Sequence, residues 1–179
     1  MNTILVNSLA VLLTVSTACQ SETTNQSENS QSESTELESS ITENGNPQFK
    51  DETSKAVFQH YIHLKTALVK SDVKEAKTGA AALKIALNNA GSKKGAELAS
   101  KIAAASDIGK QRNEFDALTA EVEDIIKSAG LKSGKIYKQF CPMAKNGEGA
   151  YWLASETEIK NPYYGNDMLN CGEVKEEIK

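Results

Sequence analysis

Four sulfur-bearing side chains stand as two mirrored pairs near the end of the chain. Cys141 and Met143 are two residues apart, and Met168 and Cys171 are three apart. Apart from Met1 and Cys19, they are all the methionine and cysteine in the protein. In an extended segment residues two apart point to one side, and residues three apart on a helical turn do likewise. Each pair can therefore aim both of its sulfurs in one direction. Two thiolates with up to two thioethers form a soft donor set, which favours Cu(I), and by extension Ag(I), over hard cations. Zinc would accept the cysteines but ordinarily needs His or further Cys to complete four ligands. The same residues admit a second chemistry. A Cys141–Cys171 disulfide would close a loop of about thirty residues and contribute ~3 kcal/mol, with the methionines as core filler. Both readings stand, and reduction of the bridge would convert the second into the first.

Other residues bear on the choice. His60 and His63 lie three apart on a helical stretch, and His60, at the margin of its apolar stripe, is a candidate further metal ligand. Otherwise the two are partly solvated surface histidines, the better account of His63. Trp152, the single tryptophan, stands between the sulfur pairs. It offers an aromatic face to a cation or serves as the core of a small domain. No HExxH, GxSxG, P-loop or CxxC pattern occurs. A Cys141–His60 nucleophile pair is conceivable, but nothing requires it. The reading is binding and transfer, with no enzyme activity.

The elements that must position these residues are mainly helical. Val57, Tyr61, Leu64 and Leu68 recur at intervals of four, three and four, the stripe of an amphipathic helix. Asp72, three before Glu75, starts a second helix, which Gly91 ends. A shorter stretch follows over Ala96–Ala105. After Ser106-Asp107, Phe115, Leu118, Val122, Ile125 and Ala129 mark a long helix closed by Gly130. The pattern predicts an antiparallel three- to four-helix bundle with an irregular C-terminal segment containing short β strands. Strands are expected within 135–143 and 151–153, a turn of helix from Ser155, and a tight turn at Asn161-Pro162. Six of the ten aromatics fall between Tyr137 and Tyr164, so the tail should supply core as well as chemistry. The alanine-rich second and third helices bury little area each.

Ahead of the bundle the composition changes. Residues 1–18 hold an apolar run from Ile4 to Val15, too short to span a bilayer and ending in small residues before Cys19. This resembles a bacterial lipoprotein signal with Cys19 as the lipidated residue. It departs from that pattern in having no Lys or Arg before the run and Ser16 three before the cysteine. The alternative is an ordinary secretory peptide. Residues 19–46 are Ser, Thr, Glu, Gln and Asn with few apolar side chains, a polar spacer reaching roughly 25–30 Å. The globular domain is 47–179. A net charge of −4 without basic clusters makes nucleic acid a poor partner. The expected localisation is the cell envelope, lipid-anchored on the periplasmic face or cell surface.

At CPMAKNGEGAYWLASETEIKNPYYGNDMLNCGEV, with HYIHLKTALVKSD earlier, the sequence resembles the family called domain of unknown function 3347. The resemblance spans about Thr53 to Val174. Its most specific parts are Cys-Pro-Met-Ala, Gly-Ala-x-Trp-Leu, Asn-Pro-Tyr-Tyr-Gly and Met-x-x-Cys-Gly. Members of that family are small exported or lipid-anchored bacterial proteins, or an extra C-terminal domain on periplasmic adaptors of heavy-metal efflux systems. The resemblance implies a role in copper or silver handling, with Cys141, Met143, Met168 and Cys171 at the motif positions. It also implies a heavy-metal efflux adaptor, or another envelope protein, as partner.

Overall fold

The computed structural model describes residues 46–179; the predicted leader, the lipid attachment at Cys19 and the spacer up to residue 45 lie outside the described residues. Four helices carry the domain: α1 (Glu52–Val69), α2 (Val73–Asn89), α3 (Lys93–Ala104) and α4 (Ile108–Ala129). Each begins where a short polar side chain relieves an unpaired backbone N–H. Asp51 accepts from Ser54 N at 2.8 Å, Asp72 from Glu75 N at 2.9 Å, Ser92 from Gly95 N at 3.1 Å and Asp107 from Lys110 N at 2.9 Å. Such caps contribute about 1 kcal/mol each. The first two helices end in the same hydrogen-bonded motif. At the end of α2, Ser92 N donates to Leu87 O and Gly91 N to Asn88 O, with Gly91 at φ 77°. At the end of α1 the left-handed position is Ser71, at φ 55°.

Short links force antiparallel neighbours, and the helices pack in chain order, with α4 returning against α1. Val57, Tyr61, Leu64, Leu68, Leu83, Leu87, Ile102, Phe115, Leu118, Val122 and Ile126 are fully buried. Small residues set the spacing of α1 and α2. A Cβ on Gly79 would lie 3.1 Å from the Leu64 backbone, so the two helices meet there almost backbone to backbone. Among the described residues, no helix is long and apolar enough to cross a membrane.

The tail makes the expected strands and more. β2 (Leu131–Ser133) pairs antiparallel with β1 (Gln48–Phe49), closing the chain ends of the bundle together. β3 (Ile136–Cys141) is the centre of a three-stranded antiparallel sheet in the order β4-β3-β5, with β4 at Ala150–Ala154 and β5 at Glu173–Ile178. Neither the small ribbon nor β5 is foreseen in the sequence reading. The expected helical turn at Ser155 does not form; its hydroxyl bonds to the adjacent Glu156 carboxylate at 2.7 Å.

Polar side chains of the bundle find their partners in this tail. Tyr61 on α1 bonds to Thr119 Oγ1 on α4 at 2.8 Å and accepts from the backbone N–H of Leu153 in β4 at 3.0 Å. Asp116 accepts from Tyr151 N at 3.1 Å. Lys65, only 3% exposed, meets Glu156 at 2.8 Å. Trp152 is fully buried and donates from Nε1 to Gln139 Oε1 at 2.6 Å. Gln139 Nε2 in turn lies 2.9, 3.3 and 3.2 Å from the carbonyls of Glu156, Thr157 and Glu158, pinning the crossing loop over the sheet.

Candidate functional site

Cys141 is the last residue of β3 and is fully buried. Cys171 stands just before β5, partly exposed, and the two Sγ atoms are 3.1 Å apart. Strand register brings them together. Phe140 pairs with Glu173, which lays Gly172 and Cys171 alongside the end of β3. The approach needs Gly172, at φ 146°, where a Cβ would fall 2.8 Å from the Trp152 ring and 2.9 Å from the Phe140 carbonyl oxygen. Both cysteines are free thiols in the structure.

The loop holding Cys171 is fixed from two sides. Fully buried Asn161 donates from Nδ2 to the Cys171 carbonyl at 2.8 Å and from its backbone to Leu169 O at 2.8 Å. Its Oδ1 accepts from Tyr163 N and Tyr164 N, an Asx turn that the Asn-Pro pair makes easy. From α4, Arg112 donates Nε to Pro162 O at 2.7 Å, and Nη2 to Leu68 O at 3.0 Å and Ser71 Oγ at 2.9 Å. One guanidinium thus ties the loop to the end of α1. The Asn161-Pro162 turn is legible in the sequence. The roles of Arg112 and Gly172 are not, although the Cys-Gly step hints at the second.

The methionines are placed differently from one another. The extended run ends at Cys141, and Met143 has φ −84° and ψ −15° in the following turn. Its side chain is 53% exposed, while its carbonyl accepts from Tyr164 Oη. The sulfurs of Cys141 and Met143 therefore do not share the side that an extended register would give them. Met168 closes a 3-10 turn, Gly165–Met168, partly buried, and its carbonyl accepts from Cys171 N at 3.1 Å. Those two residues keep the turn spacing expected of them.

The histidines stay apart from the sulfur. His63 is partly exposed and meets Glu75 of α2 at 2.6 Å. His60 lies one turn back on α1, half-buried. Among the described residues no three His, Cys, Asp or Glu side chains gather as a metal site, so His60 does not join Cys141 and Cys171 here. Trp152 is core: its ring is sealed in and its N–H is used by Gln139.

The electrostatics around Cys171 are those of a resting thiol. The Cys171 thiol is held above its ordinary range, first by its hydrogen bond with Cys141, then by burial and by the charge Cys141 would carry. No lysine or arginine offsets these effects. A catalytic thiolate needs the opposite environment. Two thiols in contact, one buried and one reachable, can close to a disulfide or open around a soft ion.

Residues 57–134 match a family model described as Protein of unknown function (DUF3347). The resemblance read from the sequence is borne out over that segment, which runs from α1 through β2 and the turn after it. The sulfur-bearing tail lies beyond the matched residues. No curated protein and no solved structure matches the chain.

Proposed function

We propose that this protein is a lipid-anchored envelope protein that binds a soft monovalent ion, Cu(I) or Ag(I), through Cys141 and Cys171, for sequestration or delivery to an efflux system. One observation carries the reading: the fold brings two thiols thirty positions apart in sequence to 3.1 Å, with an exposed thioether two residues further on. Met143 is not core filler, and its exposure leaves it free to swing as a third donor. Met168 stands in the turn that leads to Cys171. The pair has to open to take an ion. With metal–sulfur distances of about 2.3 Å, two thiolates sit about 3.8 Å apart at a tetrahedral centre and about 4.6 Å apart at a linear one. Cys171, on a turn, supplies that movement more readily than Cys141, which is sealed in the central strand. Lipid anchoring and the envelope location rest on the sequence around Cys19, and the efflux adaptor on the family resemblance.

The test is an anaerobic Cu(I) titration of the reduced protein against a colorimetric Cu(I) chelator. One ion per chain is the expected result. Cys141→Ser and Cys171→Ser should each abolish competition while keeping the helical circular dichroism. Retained affinity in either variant refutes the site.

A second reading has its own observation. The 3.1 Å separation is tighter than a metal chelate requires, and about 1 Å of closure would complete a covalent bridge. On that reading the domain is a disulfide-stapled interaction module of the envelope. Met143→Leu and Met168→Leu would then leave its function intact.

A further inference from the structure

We propose that Cys171 is the entry thiol of a two-step exchange with a low-molecular-weight disulfide, and that Cys141 is the resolving thiol. The assignment rests on an asymmetry within one contact. Cys141 is fully buried at the end of the central strand, whereas Cys171 is partly exposed on the turn before an edge strand. A disulfide in solution can therefore reach only the second sulfur. The first is already 3.1 Å behind it.

The chemistry balances without any group the protein lacks. The Cys171 thiol gives its proton to solvent, and its sulfur attacks one sulfur of the donor R–S–S–R. The donor's S–S bond breaks and RS⁻ leaves, taking a proton from solvent. The Cys141 sulfur, deprotonated in turn, then attacks Cys171 Sγ and breaks the Cys171–S–R bond, releasing a second RS⁻. Two protein thiols lose two electrons in total, and one R–S–S–R becomes two RSH. The second step is intramolecular between groups in contact, so the mixed disulfide is short-lived in the intact pair.

Closure uses the same two sulfurs as the proposed ion site but does not depend on it. A bridged pair has no thiolate to offer a soft ion, so the donor's oxidising pressure would set how much protein can bind one. The experiment is run without metal, so failure of the ion reading leaves this assignment standing.

The full chain carrying Cys19→Ser is reduced, freed of reductant and exposed to glutathione disulfide, and samples are quenched with acid for intact mass. The expected product is the chain lighter by two hydrogens, with no lasting adduct. Adding Cys141→Ser should trap a glutathione adduct at Cys171. Adding Cys171→Ser should give no adduct at Cys141 over the same time, and unfolding in urea should make that cysteine reactive. Equal adduct formation in the two folded variants would overturn the order of attack. A parent chain that never bridges would overturn the proposal altogether. Cys141→Ala serves beside Cys141→Ser should the buried hydroxyl disturb folding, and both are checked by circular dichroism.

Discussion

Gly172→Ala is the substitution that most directly tests how the thiol pair is held. At φ 146° the backbone occupies a region that side-chain-bearing residues rarely visit, at a cost of about 1–3 kcal/mol. The added methyl would also lie 2.8 Å from the Trp152 ring and 2.9 Å from the Phe140 carbonyl. Neither can retreat easily: Trp152 is fully buried and bonded to Gln139, and Phe140 is in the central strand. Overpacking of this kind costs about 1–3 kcal/mol more. The sum, about 2–6 kcal/mol, is a large share of the ~5–15 kcal/mol that holds a domain folded. With a urea slope of about 1.5 kcal/mol per molar, the unfolding midpoint should fall by about 1–4 M.

The chain has one cheaper way out, and it makes the test sharper. Residues 171 and 172 can peel from β3, which relieves the clash but parts Cys171 from Cys141. The variant should then keep more stability and bridge slowly with glutathione disulfide. Either a lowered midpoint or slowed bridging is therefore required. A variant with the parent's midpoint and the parent's bridging rate would refute the account of how Gly172 positions the site.

Three further outcomes follow from the same contacts. Arg112→Lys removes the fork shared among Pro162, Leu68 and Ser71, and should cost about 2 kcal/mol in urea unfolding while slowing Cu(I) uptake little. Burial raises the Glu123 carboxyl, but its bonds and charge pairing with Lys127 and Lys138 outweigh that and hold it below its ordinary 4.5. A depressed carboxylate contributes stability above its unfolded pKa that is lost as pH falls through the folded one, so Glu123→Gln should flatten the decline in thermal midpoint below about pH 4.5. Glu156→Gln leaves Lys65, 3% exposed, without its counter-charge. With Glu156 itself about a third exposed, the loss should be about 2 kcal/mol, short of the value for a sealed pair, and Lys65→Met in the same chain should recover most of it.

The bundle was legible because its signals are local. Asp72 and Asp107 announce helix starts within three residues, Gly91 and Gly130 announce ends, and the apolar stripes set the faces between them. Strand β5 was hidden because its sequence, EVKEEI, is what an edge strand carries to discourage other chains, and such a run reads as solvated surface. The convergence of Cys141 and Cys171 was foreseen from residue type alone. Its geometry was not, since the pairing depends on the register of a strand that the sequence concealed. The expected alignment of Cys141 with Met143 assumed an extended segment, and Pro142 ends it one residue too soon. His60 falls outside the thiol pair for a tertiary reason: a helix face shows which residues are buried, not which neighbour buries them.

The family match stops at residue 134, yet the helices it covers are not chemically complete without the tail. Tyr61, a phenol held well above its ordinary range by burial foremost, owes one of its two partners to Leu153 of β4. Lys65 would be a buried cation without Glu156, and Arg112 spans the end of α1 and the Asn161-Pro162 turn. Buried polar groups left unpaired cost about twice what a satisfied pair contributes, so these residues make sense only if bundle and tail fold as one. The loop that satisfies Lys65 and Arg112 is the loop that carries Cys171. Asn161 holds the backbone carbonyl of Cys171, and the adjacent Pro162 is held by the guanidinium that clasps α1. The turn that carries Cys171 is thereby tied by hydrogen bonds to the end of α1.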